Sequence, residues 1–285
     1  MSFIKILVCC HKKSELPESK LYLPIQVGKK RNNIELGIQS DCQINGEDCD
    51  NISEKNNIYC EMTAMYWAWK NIEKLYSDID YIGLCHYRRY FNVNWTMTDK
   101  IKIFIQKILY MEAALIKKRI YGVESMTKVN SVQCAEMKTN SKKLENFITK
   151  YDVVATYPFQ ILNCTTDMFF QVIGRKYIEL MTEIVDEYFE KYSKSYHEQL
   201  ESNKLYAQNM IVMKKDLLDE YCTFVFGVLD KHIEYTSERN ICVDPMSELT
   251  YDRVSGYLSE ILTSTFVRYA MMEHRVGLTG KYFIE

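Results

Sequence analysis

Turn-forming residues are scarce in this 285-residue chain, which has 10 glycines and 4 prolines. That is about 5% of residues, against about 12% in an average protein. A sandwich of many short hairpins needs such residues at its turns, so the shortage argues for long helices. None of the ten cysteines stands in a CxxC pair, which argues against a zinc site of the usual spacing and leaves no metal ligand set to assign. No apolar run approaches the length of a membrane span. The segment 1–10 lacks the apolar centre and small-residue cleavage site of a secretory leader. An excess of one charge is also missing. Lys plus Arg number 36 and Asp plus Glu 38, a net −2, so nucleic acid is not an expected partner.

What is present is an ordinary globular composition, 47% hydrophobic and 26% charged, long enough for one α/β domain with a sizeable core. Cys9, Cys85 and Cys222 lie inside apolar runs, where cysteine packs as a small hydrophobe. The expectation is a reduced, cytoplasmic protein. Four short apolar runs read as buried strands: Phe3 to Cys10, Tyr81 to Cys85, Tyr151 to Ala155 and Met210 to Met213. Each is expected to deliver polar groups at its C-terminal end, the first three with His11-Lys12, His86-Tyr87-Arg88-Arg89 and Thr156-Tyr157-Pro158, while the fourth follows Asn209. In an open α/β sheet that edge is where ligands bind. Helical spacing runs from Glu61 to Tyr76, with Asn56 or Asn57 as cap, from Asp216 as cap through Val228, and from Glu248 to Met272.

One segment differs in charge. Residues 97–150 hold 11 Lys/Arg and 5 Asp/Glu, a balance of +6. Within it, Ile101 to Tyr110 and Lys117-Lys118-Arg119 read as a basic amphipathic helix, suited either to an anionic membrane surface or simply to water.

The candidate chemistry lies at the strand ends. Arginine offers a planar fork of donors that fits phosphate oxygens and does not titrate. Two arginines and a histidine after a buried strand need an anion or an acid to compensate them. The ligand reading is a diphosphate at His86, Arg88 and Arg89; the alternative is pairing with the protein's own carboxylates. Strand alternation sends Arg88 and Arg89 to opposite faces, so only one is expected to meet a ligand. Asp50-Asn51 and the polar residues up to Asn57 precede a helix, where such side chains either grip a ribose or make turns and caps. Asp48-x-Asp50 and Asp78-x-Asp80 have the spacing of a divalent-metal pair, but Asp78 and Asp80 precede their strand, at the wrong edge. Tyr66-Trp67-Ala68-Trp69 is either a sugar platform or core.

Five blocks in order carry a resemblance. They are Ile4-Lys-Ile-Leu-Val with His11-Lys12; Leu21-Tyr-Leu-Pro-Ile-Gln-Val-Gly28; Asp50-Asn-Ile-Ser-Glu-Lys-Asn56; Tyr59-Cys-Glu-Met-Thr-Ala-Met-Tyr-Trp-Ala-Trp-Lys-Asn71; and Asp80-Tyr-Ile-Gly-Leu-Cys-His-Tyr-Arg-Arg-Tyr-Phe91. Later blocks are Asn209-Met-Ile-Val-Met-Lys214 and Arg253-Val-Ser-Gly-Tyr-Leu-Ser-Glu260, while 97–200 departs most. Together they resemble the bacterial family known as domain of unknown function 4422, whose members sit among capsular and exopolysaccharide biosynthesis proteins and are regarded as glycosyltransferases. The resemblance implies a GT-A-like α/β single domain over 1–285, with a mostly parallel central sheet flanked by helices. Residues 1–96 would be the nucleotide-binding half, 97–150 a helical basic insertion, and 151–285 the acceptor-side half with the C-terminal helices.

On that reading His11, Lys12, Asp50 and Asn51 surround the nucleotide, and His86, Arg88 and Arg89 lie near the diphosphate. Asn209 and Arg253 lie on the acceptor side, and Glu260 and Asp167 are the candidate catalytic carboxylates. The donor would be a UDP-hexose, with galactose in pyranose or furanose form first. The acceptor would be a lipid-linked saccharide met at the inner face of the membrane, where the enzyme would sit peripherally. A need for Mn²⁺ or Mg²⁺ stays open. The rival classes are a non-catalytic nucleotide-sugar or glycan-binding component of a polysaccharide assembly and a sugar nucleotidyltransferase.

Overall fold

The computed structural model describes residues 2–285 apart from 33, 97, 100, 102–103, 106–107, 109–121, 125, 162 and 242–252. A nine-stranded mixed sheet organises the chain. Its strands are β1 (Ile4–Cys10), β2 (Tyr22–Gln26), β3 (Gln39–Ser40), β4 (Tyr81–His86), β5 (Arg89–Asn92), β6 (Met126–Val129), β7 (Val153–Thr156), β8 (Ile211–Lys214) and β9 (Val276–Ile284). Across the main sheet they pair in the order β3-β2-β1-β4-β8-β7-β9, and the C-terminal half of β9 turns away to pair with β5 and β6. Only β5 and β8 run against the rest, so the sheet is largely parallel, as the sequence implies, but mixed.

Parallel strands are covered on both faces, which is why β1 is buried throughout. Leu7 and Cys9 face one apolar cluster and Ile4, Ile6, Val8 and Cys10 the other. Lys5 is tolerated there because its ammonium reaches the Lys20 carbonyl at 2.6 Å and lies over the Tyr76 ring. The larger cluster receives α1 (Met62–Leu75), α4 (Thr165–Val172), α5 (Arg175–Tyr188), α6 (Glu190–Glu201), α7 (Lys215–Glu238) and α8 (Val254–Glu273). The smaller receives α2 (Val132–Thr139) and α3 (Ser141–Ile148). Gly83 lets β8 lie against β4, since a Cβ there would meet Val212 Cγ2 at 2.6 Å and the Ile211 carbonyl at 3.0 Å.

The basic segment is not a helical insertion throughout. Beyond its helical residues, Gly122–Val123 forms a short strand paired with Phe159–Ile161, and β6 joins the main sheet beside β9. Among the helical residues are Ile101, Phe104, Ile105 and Ile108; the rest of 101–110, and 117–119, lie outside the described residues. So do 248–252, the expected start of α8. Neither Asn56 nor Asn57 caps α1. Asn56 spends its amide on the Cys60 carbonyl and the Thr63 hydroxyl, and the cap position is Glu61. Asp216 sits within the first turn of α7, and the cap position is Lys214. The described cysteines are free, and Cys9, Cys85 and Cys222 are buried.

Candidate functional site

A cavity of about 750 Å³ opens at the C-terminal edge of the parallel strands. This is the size of a small-molecule site. Each neighbouring element supplies a piece of it. β1 gives Cys9 and His11, β2 gives Val27, and the chain between β4 and β5 gives His86, Tyr87, Arg88 and Arg89. The approach to α1 gives Asn56, Asn57, Cys60 and Glu61; the start of α8 gives Arg253, Gly256, Tyr257 and Glu260; β9 gives Phe283. Because β8 is reversed, the residue before its turn, Gln208, reaches the same edge. Gly256 lets α8 pack against Cys60, whose Sγ lies 2.8 Å from where a Cβ would stand.

The cationic side is built on a two-residue turn. His86 pairs with Arg89 across it, so Tyr87 and Arg88 belong to the turn rather than to a strand. Strand alternation therefore does not separate the arginines. Both line the cavity, and both guanidiniums lie against one ring, Phe283, at 4.6 Å and 5.6 Å from its centre. Arg88 Nε donates to the Ile284 carbonyl at 3.0 Å, while Arg89 Nε is buried with no hydrogen-bond partner among the described residues. Among the described residues, Arg88, Arg89 and Arg253 form no ion pair. The protein's own acids still act on one of them, since Arg89 lies close enough to Glu124 and Glu260 to favour the charged form of both carboxyls. His11 stands edge-on to Tyr87 at 5.1 Å, and burial, then the charges of Lys12 and His86, push its imidazole below the usual range.

The anionic side is a pair of glutamates. Glu61 Oε1 accepts from Asn209 Nδ2 at 2.8 Å and lies 4.0 Å from His86 Nε2. Glu260 faces it from α8. Burial, then the Glu61 carboxylate, push Glu260 up to about 7, opposed by the Gln208 backbone N–H and by Lys281 and Arg89. His86 Nε2–H donates to the Gln208 carbonyl at 2.7 Å. The cavity thus sets three guanidiniums against two glutamates, of which Glu260 is poised near neutrality.

The expected site residues divide accordingly. His11, His86, Arg88, Arg89, Arg253 and Glu260 share the cavity. Lys12 does not line it; its ammonium lies over the Tyr87 ring at 5.6 Å. Asp50 and Asn51 stand outside it: Asp50 accepts from the Tyr66 hydroxyl, and Asn51 donates to the Cys49 carbonyl. The helix start brings Asn56 and Asn57 to the wall in their place. Asn209 does not face an acceptor. It is fully buried, with Nδ2 on Glu61 and Ser259 and Oδ1 taking the Thr263 hydroxyl. Asp167 is exposed in the first turn of α4, away from the cavity. Glu61 was hidden within the Tyr59-to-Asn71 block, where a lone acid before a helix has no spacing signal.

Asp48 binds Lys30, and Asp80 accepts from the Phe3 amide. Among the described residues, no three of His, Cys, Asp and Glu gather as a metal site. Trp67 is core, and Trp69 stacks on Phe226. No described helix is long and apolar enough to cross a membrane.

No curated protein matches the chain. Among solved structures it is similar to the apo form of WbbM, a bifunctional glycosyltransferase, with a TM-score of 0.75 at 22% identity. That match takes in 100% of this chain but 46% of the other, so the fold is shared with somewhat less than half of that protein. A family model described as domain of unknown function (DUF4422) matches residues 5–271. The chain belongs to the DUF4422 family.

Proposed function

We propose that the chain is a glycosyltransferase that moves a hexosyl unit from a nucleoside-diphosphate sugar to a hydroxyl acceptor. The observation that carries this reading is the meeting of three guanidiniums, which form no ion pair among the described residues, with a carboxyl pair in one cavity at the C-terminal edge of the sheet. Glycosyl transfer asks for both. Negative charge develops on the departing diphosphate, and preorganised donors stabilise it most effectively where water is thinned out. Arg88, Arg89 and Arg253 supply those donors, and they offset negative charge on the diphosphate that a divalent cation would otherwise neutralise. The acceptor hydroxyl must lose a proton as the new bond forms. A base titrating near neutrality is well matched to that step, and Glu260 is in that range. Burial, and after it like-charge repulsion from Glu61, keep it there, and Asn56 and Asn57 are the polar groups available to the nucleoside. The donor on this reading is a UDP-hexose, with galactose the first to test.

The acceptor is proposed to be a lipid-linked saccharide, reached by peripheral binding to an anionic membrane. Ile101, Phe104, Ile105 and Ile108 are helical, fall on one face by their spacing, and are 53%, 63%, 50% and 47% exposed. The segment 97–123 contains six Lys/Arg and two Asp/Glu, which complements acidic lipid. Sedimentation with phosphatidylglycerol vesicles should pull down the parent and leave the Ile101→Asn, Phe104→Asn, Ile108→Asn variant in solution. Equal recovery of both would end that role.

Calorimetry with UDP, followed by a UDP-release assay with saccharide acceptors in the presence and absence of EDTA, tests the reaction. Binding with turnover supports a transferase, and binding without turnover identifies a recognition component. Glu260→Gln should lower kcat by about 100-fold or more with the UDP Kd nearly unchanged. In the parent, kcat should fall as pH drops below about 7, because the base is then protonated.

A further inference from the structure

We infer that the buried Lys281–Glu124 pair is a positioning device: it clamps the Gln208–Asn209 turn, and through that turn sets His86, Glu61 and Glu260 relative to one another. The inference rests on the transferase reading of the cavity for its catalytic meaning, but its geometry is independent of it.

Two adjacent non-glycine residues here hold left-handed backbone, Gln208 at φ 68° and Asn209 at φ 50°. Neighbouring structure must impose such a conformation, which side chains disfavour. The restraint on Gln208 comes from both ends of its amide. Nε2 donates to Glu124 Oε1 at 2.6 Å, and Oε1 accepts from Lys281 Nζ at 3.2 Å. Lys281 closes the triangle by donating to the same Glu124 oxygen at 2.6 Å. This lysine is 1% exposed. Burial pulls its ammonium below the usual range, and burial pushes Glu124 up, yet the Lys281 charge and the hydrogen bonds from Lys281 and Gln208 bring Glu124 out lower than normal. Neither ion is satisfied without the other.

Other polar groups of the turn reach residues of the cavity wall and of α8. The Gln208 carbonyl takes the His86 Nε2–H, and its N–H faces the Glu260 carboxyl. Asn209 holds Glu61 with the same amide nitrogen that holds Ser259, and its oxygen takes the Thr263 hydroxyl. Ser259 and Thr263 lie on α8, the helix that carries Glu260. The separation of the two glutamates is thus spanned by one buried amide, and that amide is placed by a turn whose other anchor is Lys281–Glu124. None of Glu124, Lys281 or Asn209 lines the cavity, so each acts through other groups.

The test replaces the ion pair by neutral groups of similar size, in the double variant Glu124→Gln, Lys281→Met. Glu124→Gln alone is the second variant, should the double one fail to fold. The Glu260 carboxyl is followed by ¹³C NMR of glutamate-labelled protein, its signal identified by its loss in Glu260→Gln. This readout does not depend on turnover. The charged groups acting on Glu260 are Glu61, Lys281 and Arg89. With Lys281 neutral and the Gln208 N–H released, the Glu260 midpoint should rise by about half a unit or more. The acid limb of the kcat–pH profile should move with it, and kcat should fall by about tenfold while the UDP Kd stays within about twofold. An unmoved midpoint with unchanged kcat overturns the positioning role while leaving the transferase reading intact. A parent that shows no turnover with any acceptor ends the transferase reading, while the NMR midpoint still decides whether the brace sets Glu260.

Discussion

Arg89→Met separates a ligand-binding arginine from a structural one. Among the described residues, the side chain it removes makes no ion pair and its buried Nε has no hydrogen-bond partner. A buried donor left unsatisfied costs about 1–3 kcal/mol, so removing it should not destabilise the protein on that account. Against this stands the contact with the Phe283 ring, worth about 0.5–1 kcal/mol for a cation over an aromatic face. The remaining electrostatics oppose one another, since Glu124 and Glu260 attract the guanidinium and Lys281 repels it. Stability should therefore stay within about 1 kcal/mol of the parent, or rise. The effect on ligand should be much larger. A charge-assisted bond to a phosphate oxygen is worth about 1.5–3 kcal/mol, so the UDP Kd should weaken by about 10- to 150-fold. Calorimetry with UDP and with uridine, alongside a urea melt, checks all three quantities. Uridine has no phosphate and should bind both proteins alike. A UDP Kd that moves less than about twofold, or a uridine Kd that weakens as much as that of UDP, would refute the diphosphate assignment.

Gly83→Ala should cost about 1–3 kcal/mol in a urea melt, because its Cβ would press into Val212 and the Ile211 carbonyl of the adjoining strand; an unchanged midpoint would contradict the described register. His232 is buried, donates to the Tyr177 carbonyl at 3.0 Å, and is pushed down to about 4 by burial. The unfolded chain takes up that proton near pH 6.5 and the folded one only near 4, so stability is lost as pH falls through that window, by about 3 kcal/mol at its lower end. His232→Gln should flatten that loss between pH 7 and pH 4.5, and a parallel pH dependence in both proteins would count against it. Asp167→Asn should leave kcat and UDP affinity within about twofold of the parent, since the residue is exposed and away from the cavity; a large loss in turnover would move the site.

Apolar runs exposed β1, β4, β7 and β8 in the sequence because strands buried on both faces must be apolar along their length. The same logic hid β9. Val276–Ile284 contains two glycines and a lysine, and it reads as polar until Lys281 is placed beside Glu124, 157 residues away. The strand-end histidines and arginines were legible as chemistry, since charge after an apolar run has to be compensated. Which of them share a cavity was not, because a two-residue turn and an alternating strand look alike over Tyr87-Arg88. In the sequence Asp50 and Asn51 suit either a ribose or a turn, the resemblance favouring the ribose, and Asn56 or Asn57 suits a cap. Local hydrogen bonds settle the first two as loop-forming and bring Asn56 to the wall. Glu61 and the buried state of Asn209 depend on tertiary contacts alone, 148 residues apart in sequence.

The reversed direction of β8 has a chemical consequence for its neighbours. Where parallel strands finish, the last backbone groups to reach the rim are carbonyl oxygens. A strand that begins at that rim delivers an amide hydrogen there as well. Gln208 contributes both signs within one residue, the oxygen to His86 and the hydrogen to Glu260. The reversed strand thus lets a single backbone residue steady an imidazole with its oxygen and a carboxyl with its hydrogen.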